Sequence, residues 1–134
     1  MSLYLDTSAL LKRYIEEDES AACERMLHAD PSWVTGRHTW VEVLRNLGRL
    51  LRGAERARVR AVFRTDWSRM LVVELDVTTC ERAGDLAETL QVRTLDALHL
   101  AAAERAGGGT LPFVTYDIRQ AQAARSLGWT VLGR

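Results

Sequence analysis

The chain has 134 residues, one domain's worth, with 47% apolar and 27% charged residues, which is ordinary globular usage and excludes extended disorder. No apolar run approaches the ~18 residues of a membrane-spanning helix. Basic and acidic residues number 18 each and cancel, so net charge identifies no partner.

The first segment, Ser2 to Asp6, reads as a short strand, and Thr7 and Ser8 offer caps for a helix through Ala9, Leu10 and Leu11. Ser20 is expected to cap a second helix, with Ala22, Cys23, Met26 and Leu27 at helical spacing and Asp30-Pro31 as its stop. Trp33-Val34-Thr35 is strand-like. A long helix is predicted from about His38 to Leu51, with Trp40, Val43, Leu44, Leu47 and Leu51 on its apolar face. Gly53 is expected to break it and a shorter Arg-rich helix to follow, carrying Val59, Val62 and Phe63.

Met70 to Leu75 is the clearest strand, and its unbroken apolar character predicts burial on both faces, as in a parallel sheet. Thr78 and Glu81 have capping-box spacing at the start of a helix reaching about Leu90. Thr94 is expected to cap a helix through Ala106, stopped by Gly107-Gly108-Gly109. Pro112 to Thr115 reads as a strand, Asp117 as the cap of a helix ending near Gly128, and Thr130 to Leu132 as the last strand. Strands alternating with helices imply parallel crossovers and a three-layer α/β fold, with no repeat and no linker along residues 1–134.

Cys23 and Cys80, the only cysteines, lack CxxC spacing and sit among apolar helix positions, so both are expected to be small core residues in a reducing compartment. Asp6 interrupts the N-terminal segment before signal-peptide length, which favours a cytoplasmic location. His28, His38 and His99 form no HxxxH pattern, which argues against a histidine zinc site. Charge is unevenly placed: eight arginines lie between Arg45 and Arg69 against Glu55 and Asp66, and six acids lie between Glu16 and Asp30 against Arg25. Both runs read as solvated helix faces, or the basic one as a surface for a polyanion.

Three acids share one topological position. Asp6 ends the first strand, Asp96 opens a helix, and Asp117 follows the strand ending at Thr115. Ligands of open parallel sheets bind outside the carboxyl ends of the strands. Carboxylates converging there suit a hard divalent cation, and two such ions can activate a water and stabilise the leaving oxygen of a phosphodiester. Each acid also reads as a helix cap or a first-turn charge. Glu42 lies opposite the apolar face of its helix, beside Arg45, Asn46 and Arg49, so periodicity makes it solvated and does not separate it from Glu74 or Glu88. His99, one turn after Asp96, and Thr115 can each support the acids or simply pack and cap.

Taken in order, Leu5-Asp6-Thr7-Ser8-Ala9-Leu10, Glu42 within Trp40 to Leu44, Arg93-Thr94-Leu95-Asp96-Ala97-Leu98-His99-Leu100-Ala101, and Val114-Thr115-Tyr116-Asp117 resemble a PIN domain, most closely the VapC toxins of VapBC toxin–antitoxin pairs. The resemblance covers essentially the full length and implies a five-stranded parallel sheet between helices. It also implies a metal-dependent endoribonuclease whose acids map onto Asp6, Glu42, Asp96 and Asp117, with Thr115 beside them. The expected cofactor is Mg²⁺ or Mn²⁺, and hydrolysis would leave 5′-phosphate and 3′-hydroxyl ends. The implied partners are an RNA substrate, a VapB-like antitoxin and a second copy of the chain. The family often has a small polar residue where Tyr116 stands. Two other readings are a phosphohydrolase using Asp6 as a covalent nucleophile, for which position 8 holds Ser where a second Asp is usual, and a PIN-like module that binds RNA or protein without cutting it.

Overall fold

The computed structural model describes residues 2–134. Its elements in chain order are β1 (Ser2–Leu5), α1 (Thr7–Tyr14), α2 (Ser20–Ala29), β2 (Ser32–Gly36), α3 (His38–Leu50), α4 (Gly53–Trp67), β3 (Leu71–Val73), α5 (Val77–Leu90), α6 (Thr94–Gly107), β4 (Phe113–Thr115), α7 (Ile118–Ser126) and β5 (Val131–Gly133). The five strands form one sheet in the order β3-β2-β1-β4-β5, and every pairing is parallel. The three-layer expectation therefore holds. β1 pairs with β2 on one side and β4 on the other, so the chain's direction of travel across the sheet reverses at β1.

Strand alternation divides the interior. Leu3 and Leu5 of β1 and Val114 of β4 face a core built with Leu10, Leu27, Leu47 and Phe63, from α1 to α4. Tyr4 and Phe113 face the opposite core with Leu86, Leu100 and Ala124, from α5 to α7. Tyr4 stacks on Phe113, with ring centroids 5.2 Å apart. A buried Asp66 on α4 ties that helix to α1: it accepts from Arg13 Nε at 2.8 Å and from the Tyr14 hydroxyl at 2.7 Å.

Several expectations change in detail. The run at Met70–Leu75 is not a doubly buried strand: β3 is only three residues long and lies at the sheet edge, with Leu71 61% exposed. An edge strand has a neighbour on one side only, so its apolar run is not covered. The long helix does stop before Gly53, with α3 ending at Leu50, and Gly53 at φ +55° opens α4; but α4, at 15 residues, is longer than the 13 of α3, not shorter. Val62, expected on the apolar face, is exposed while Val59 and Phe63 are buried. Cys23 is buried as expected, but Cys80 is exposed. Its position follows from the start of α5, whose cap is Asp76, accepting from Thr79 N at 2.9 Å, and not Thr78. Caps move elsewhere too. Asp6 caps α1 in place of Thr7 or Ser8, Ser20 lies inside α2 and ties its hydroxyl to the preceding loop, and Thr94 lies inside α6.

Candidate metal and nucleic-acid site

The site lies at the carboxyl end of the central strands. Asp6 follows β1 directly and is almost wholly buried, 3% exposed. Oδ1 accepts from the backbone N of Ala9 at 3.0 Å and from Ser8 Oγ at 2.6 Å, while Oδ2 accepts from Thr115 Oγ1 at 2.5 Å. Burial raises the Asp6 pKa above the usual carboxylate value, and the nearby His99 and the Ser8 and Thr115 hydroxyls offset it only in part. Thr115, at the end of β4, also accepts from the backbone N of Asp117 at 3.1 Å. Asp117 in turn caps α7, with Oδ1 accepting from the backbone N of Arg119 at 2.8 Å and of Gln120 at 3.2 Å.

Asp96 stands in the first turn of α6. Arg93, just before that helix, reaches both remaining acids: Nε donates to Asp96 Oδ2 at 3.1 Å and a terminal nitrogen to Asp117 Oδ2 at 3.5 Å. Gln120 is buried and donates to the backbone carbonyl of Asp96 at 3.2 Å, which locks α7 to α6 beneath the acids.

Glu42 arrives from α3. Its side chain is 22% exposed, so the solvated position that periodicity gives it is corrected. Oε1 accepts from Thr7 Oγ1 at 2.6 Å and lies 3.0 Å from His99 Nε2. His99 Nδ1 lies 2.9 Å from the Tyr4 hydroxyl, completing a buried chain from the sheet to the carboxylate. Burial alone would raise the Glu42 pKa, but the hydrogen bonds and charge of His99 and the Thr7 hydroxyl outweigh it and hold the group below its ordinary value. His38 approaches the same carboxylate from one turn earlier on α3, its Nε2 3.9 Å from Oε1.

Asp6, Glu42, Asp96 and Asp117 thus line one open cleft of about 540 Å³, together with Ser8, Asn46, Arg93 and His99. An adjoining depression of about 440 Å³ shares Arg93 and Asp96 but brings Arg119, Gln122 and Ser126 and no further acid. The donor set is carboxylate oxygen, which suits a hard divalent cation, and among the described residues no cationic side chain is bonded to the buried Asp6 carboxylate. Residues and cation fit.

All four acids singled out in the sequence reach this cleft, and Thr115 holds one of them. The structure adds Ser8, Thr7, Tyr4, His38 and Arg93. Ser8 and Arg93 had a local signal, being two residues after Asp6 and three before Asp96. Tyr4 had none, because its partner His99 comes from a distant element; His38 had only its i,i+4 spacing to Glu42 on α3, and its contact with the His99 ring is long-range. None of the eight arginines from Arg45 to Arg69 forms an ion pair among the described residues. Six of them, including Arg45, Arg58 and Arg64, are exposed.

Comparison with known proteins places this geometry in context. Residues 3–126 match the PIN domain family. The chain is 35% identical over 131 residues to ribonuclease VapC46 of Mycobacterium tuberculosis, spanning 98% of this chain and 96% of the relative. Its fold is similar to the M. tuberculosis toxin VapC20, described as cleaving the sarcin–ricin loop, with TM-score 0.72, 16% identity and 96% coverage of both chains. It is also similar to a chain of DNA-bound VapBC from Salmonella typhimurium, with TM-score 0.69, 18% identity and coverage of 98% and 96%.

Proposed function

The chain belongs to the PIN domain family, and on that premise we propose that it is a metal-dependent endoribonuclease, the toxin of a pair whose antitoxin silences it. The observation that carries this reading is the convergence of Asp6, Glu42, Asp96 and Asp117 on one cleft at the carboxyl end of a parallel sheet. A relative named ribonuclease over 98% of the chain supports RNA as substrate.

Asp6, Asp96 and Asp117 would hold Mg²⁺ or Mn²⁺, with Glu42 on the cation or on its water. When bound, the cation supplies Lewis-acid activation of water and neutralises charge on the phosphate under attack. The chain's own residues supply placement. Ser8 and Thr115 fix both oxygens of Asp6. Thr7 and His99 aim Glu42 from α3 toward acids on other elements. Arg93 offsets the mutual repulsion of Asp96 and Asp117 until a cation takes its place. The hydrogen bonds committed to Asp6 Oδ1 and Oδ2 favour a positioning role over attack by that carboxylate, which sets aside the covalent phosphohydrolase reading.

The antitoxin proposal rests on the VapBC complexes among proteins of the same fold and on charge. The cleft already accommodates one guanidinium, Arg93, across two acids. A partner's Arg inserted there pairs with the same carboxylates bidentately and excludes the cation. A homodimer in the cytoplasm completes the proposal.

The test is cleavage of structured RNA by the purified chain with Mg²⁺, Mn²⁺ or EDTA, followed by analysis of the ends. Cation-dependent cutting that leaves 5′-phosphates is expected. RNA binding with no cutting under any cation supports the non-catalytic module instead.

A further inference from the structure

Behind the acidic cleft, two imidazoles pack against each other. His38 opens α3 and His99 lies one turn into α6, with ring centroids 4.1 Å apart at an interplanar angle of 53°. His38 and Glu42 stand four residues apart on one face of α3, and His99 comes to meet them across the cleft floor. One donor atom from each of the three lies within 4.8 Å of the other two.

His38 is 7% exposed, and neither of its ring nitrogens has a hydrogen-bond partner among the described residues. A buried polar atom left unpaired loses its solvation without recompense, so a ring with two of them calls for a ligand. The space for it is specific. A Cβ on Gly36 would lie 2.6 Å from His38 Cε1 and 2.8 Å from Nδ1, so the glycine makes room for the ring on that side. The far nitrogen of His99 already has the kind of outer partner that metal-bound imidazoles carry, the Tyr4 hydroxyl at 2.9 Å.

We propose that His38, Glu42 and His99 form a second cation site, selective for a borderline transition-metal ion of the Zn²⁺ class, and that filling it withdraws Glu42 from the nuclease cleft and inhibits cleavage. Two imidazoles and one carboxylate are a common Zn²⁺ set with a fourth position open to water, whereas Mg²⁺ takes oxygen ligands. Binding balances internally. Thr7 donates its proton to Glu42, and the Nε2 proton of His99 bridges the ring to the same carboxylate. On coordination that proton passes to Nδ1, where the Tyr4 oxygen accepts it. The binding claim stands on these three side chains alone, and only the inhibition claim rests on the nuclease reading.

The experiment titrates the full chain with Zn²⁺ in millimolar Mg²⁺, followed by calorimetry and by NMR of the histidine rings. One Zn²⁺ per chain is expected, with the His38 and His99 rings perturbed and the exposed His28 unmoved. Tyr4→Phe, which keeps the stack on Phe113, should weaken Zn²⁺ binding by roughly tenfold. His38→Gln should weaken it by at least that factor and raise the half-inhibiting Zn²⁺ concentration relative to its own zinc-free rate. Should His38→Gln not fold, the ring signals of the unmodified chain and Tyr4→Phe decide the matter. No binding in the presence of Mg²⁺, or perturbation of His28 in place of His38 and His99, overturns the site. Stoichiometric Zn²⁺ with undiminished RNA cleavage overturns the inhibition claim alone. Absence of cleavage with Mn²⁺ in zinc-free buffer refutes the nuclease reading and leaves the site standing on its binding data.

Discussion

Replacing Asp6 separates the work of a helix cap from that of a buried charge. Asn caps a helix about as well as Asp. Asp6→Asn keeps an oxygen for Ala9 N and Ser8 Oγ and turns an amide N–H toward Thr115 Oγ1, which then accepts and directs its own proton to Ser8 Oγ, while removing a negative charge that is 3% exposed. Asp6→Ala loses the cap, worth about 1 kcal/mol, and strands the Ser8 and Thr115 hydroxyls, about 1 kcal/mol each. The two variants should therefore differ by roughly 3 kcal/mol, on the order of 10 °C in Tm for a chain of this size. In metal-free buffer Asp6→Asn should melt no lower than the unmodified chain. The sign of its pH dependence follows from the raised Asp6 pKa. The folded chain retains this proton to higher pH than the unfolded chain, so the unmodified protein is unpenalised below about pH 4 and loses stability as pH rises through the raised folded value. Asp6→Asn lacks that loss, and its relative advantage grows over that window. With Mn²⁺ at ten times its Kd the unmodified chain gains about 1.4 kcal/mol, and the Asn variant should gain less and cut no RNA. Thermal melts with Mn²⁺ or EDTA, paired with cleavage assays, measure all of this. An Asn variant that cuts at the normal rate and keeps the full Mn²⁺ shift would reduce Asp6 to a cap.

Glu42→Gln should cost cleavage as severely as Asp96→Asn, whereas Glu74→Gln, on an exposed residue paired with Arg37 at the sheet edge, should retain it; equal rates for Glu42→Gln and the unmodified chain contradict the placement of Glu42. Neutralising Arg56, Arg58 and Arg60 together should weaken RNA binding and flatten the slope of log affinity against log salt, and an unchanged slope makes that helix face merely solvated. Asp66→Ala should destabilise the fold by about 2–3 kcal/mol by denaturant titration, because it leaves Arg13 and Tyr14 without their buried acceptor, and a change below about 0.5 kcal/mol would mean that solvent replaces it. Expressing the chain alone should slow bacterial growth and co-expressing its antitoxin should restore it; normal growth at confirmed expression counts against the toxin role.

The fold was legible where the pattern depends on near neighbours and less so where it depends on position in the sheet. Helical spacing marked α3 closely, Thr94 and the triple glycine bracketed α6, and strand–helix alternation indicated the parallel sheet. The Met70–Leu75 run misled because apolar composition does not say whether a strand is central or at an edge. Thr7, Ser20, Thr78 and Thr94 all looked like caps, but a chain dense in Ser, Thr and Asp offers several candidates within one turn, and the carboxylates at Asp6 and Asp76 take that place. Glu42 was legible only through the family resemblance. A helical wheel describes one helix, and what half-buries Glu42 is α1 and α6, through Thr7 and His99. The absence of HxxxH spacing was no guide to the His38–His99 pair for the same reason: its members come from two helices.

The capping and ligand readings of the acids prove to be parts of one arrangement. A carboxylate has two oxygens, and the fold uses them differently. Asp117 gives Oδ1 to the backbone of α7 and leaves Oδ2 toward Arg93 and the cleft. Asp6 gives Oδ1 to α1 and Ser8 and Oδ2 to Thr115, whose hydroxyl also receives the amide of Asp117. The two acids are thereby coupled through one buried hydroxyl on β4, and each is oriented by the start of a helix whose packing fixes it. Rigid support of this kind is what a site needs in order to hold its ligands at productive geometry. It also explains why Asp6 and Asp117 meet where the strand order turns about β1: the paired strands β1 and β4 each end there just before a helix begins, so the capping positions of α1 and α7 are also positions on the rim of the cleft.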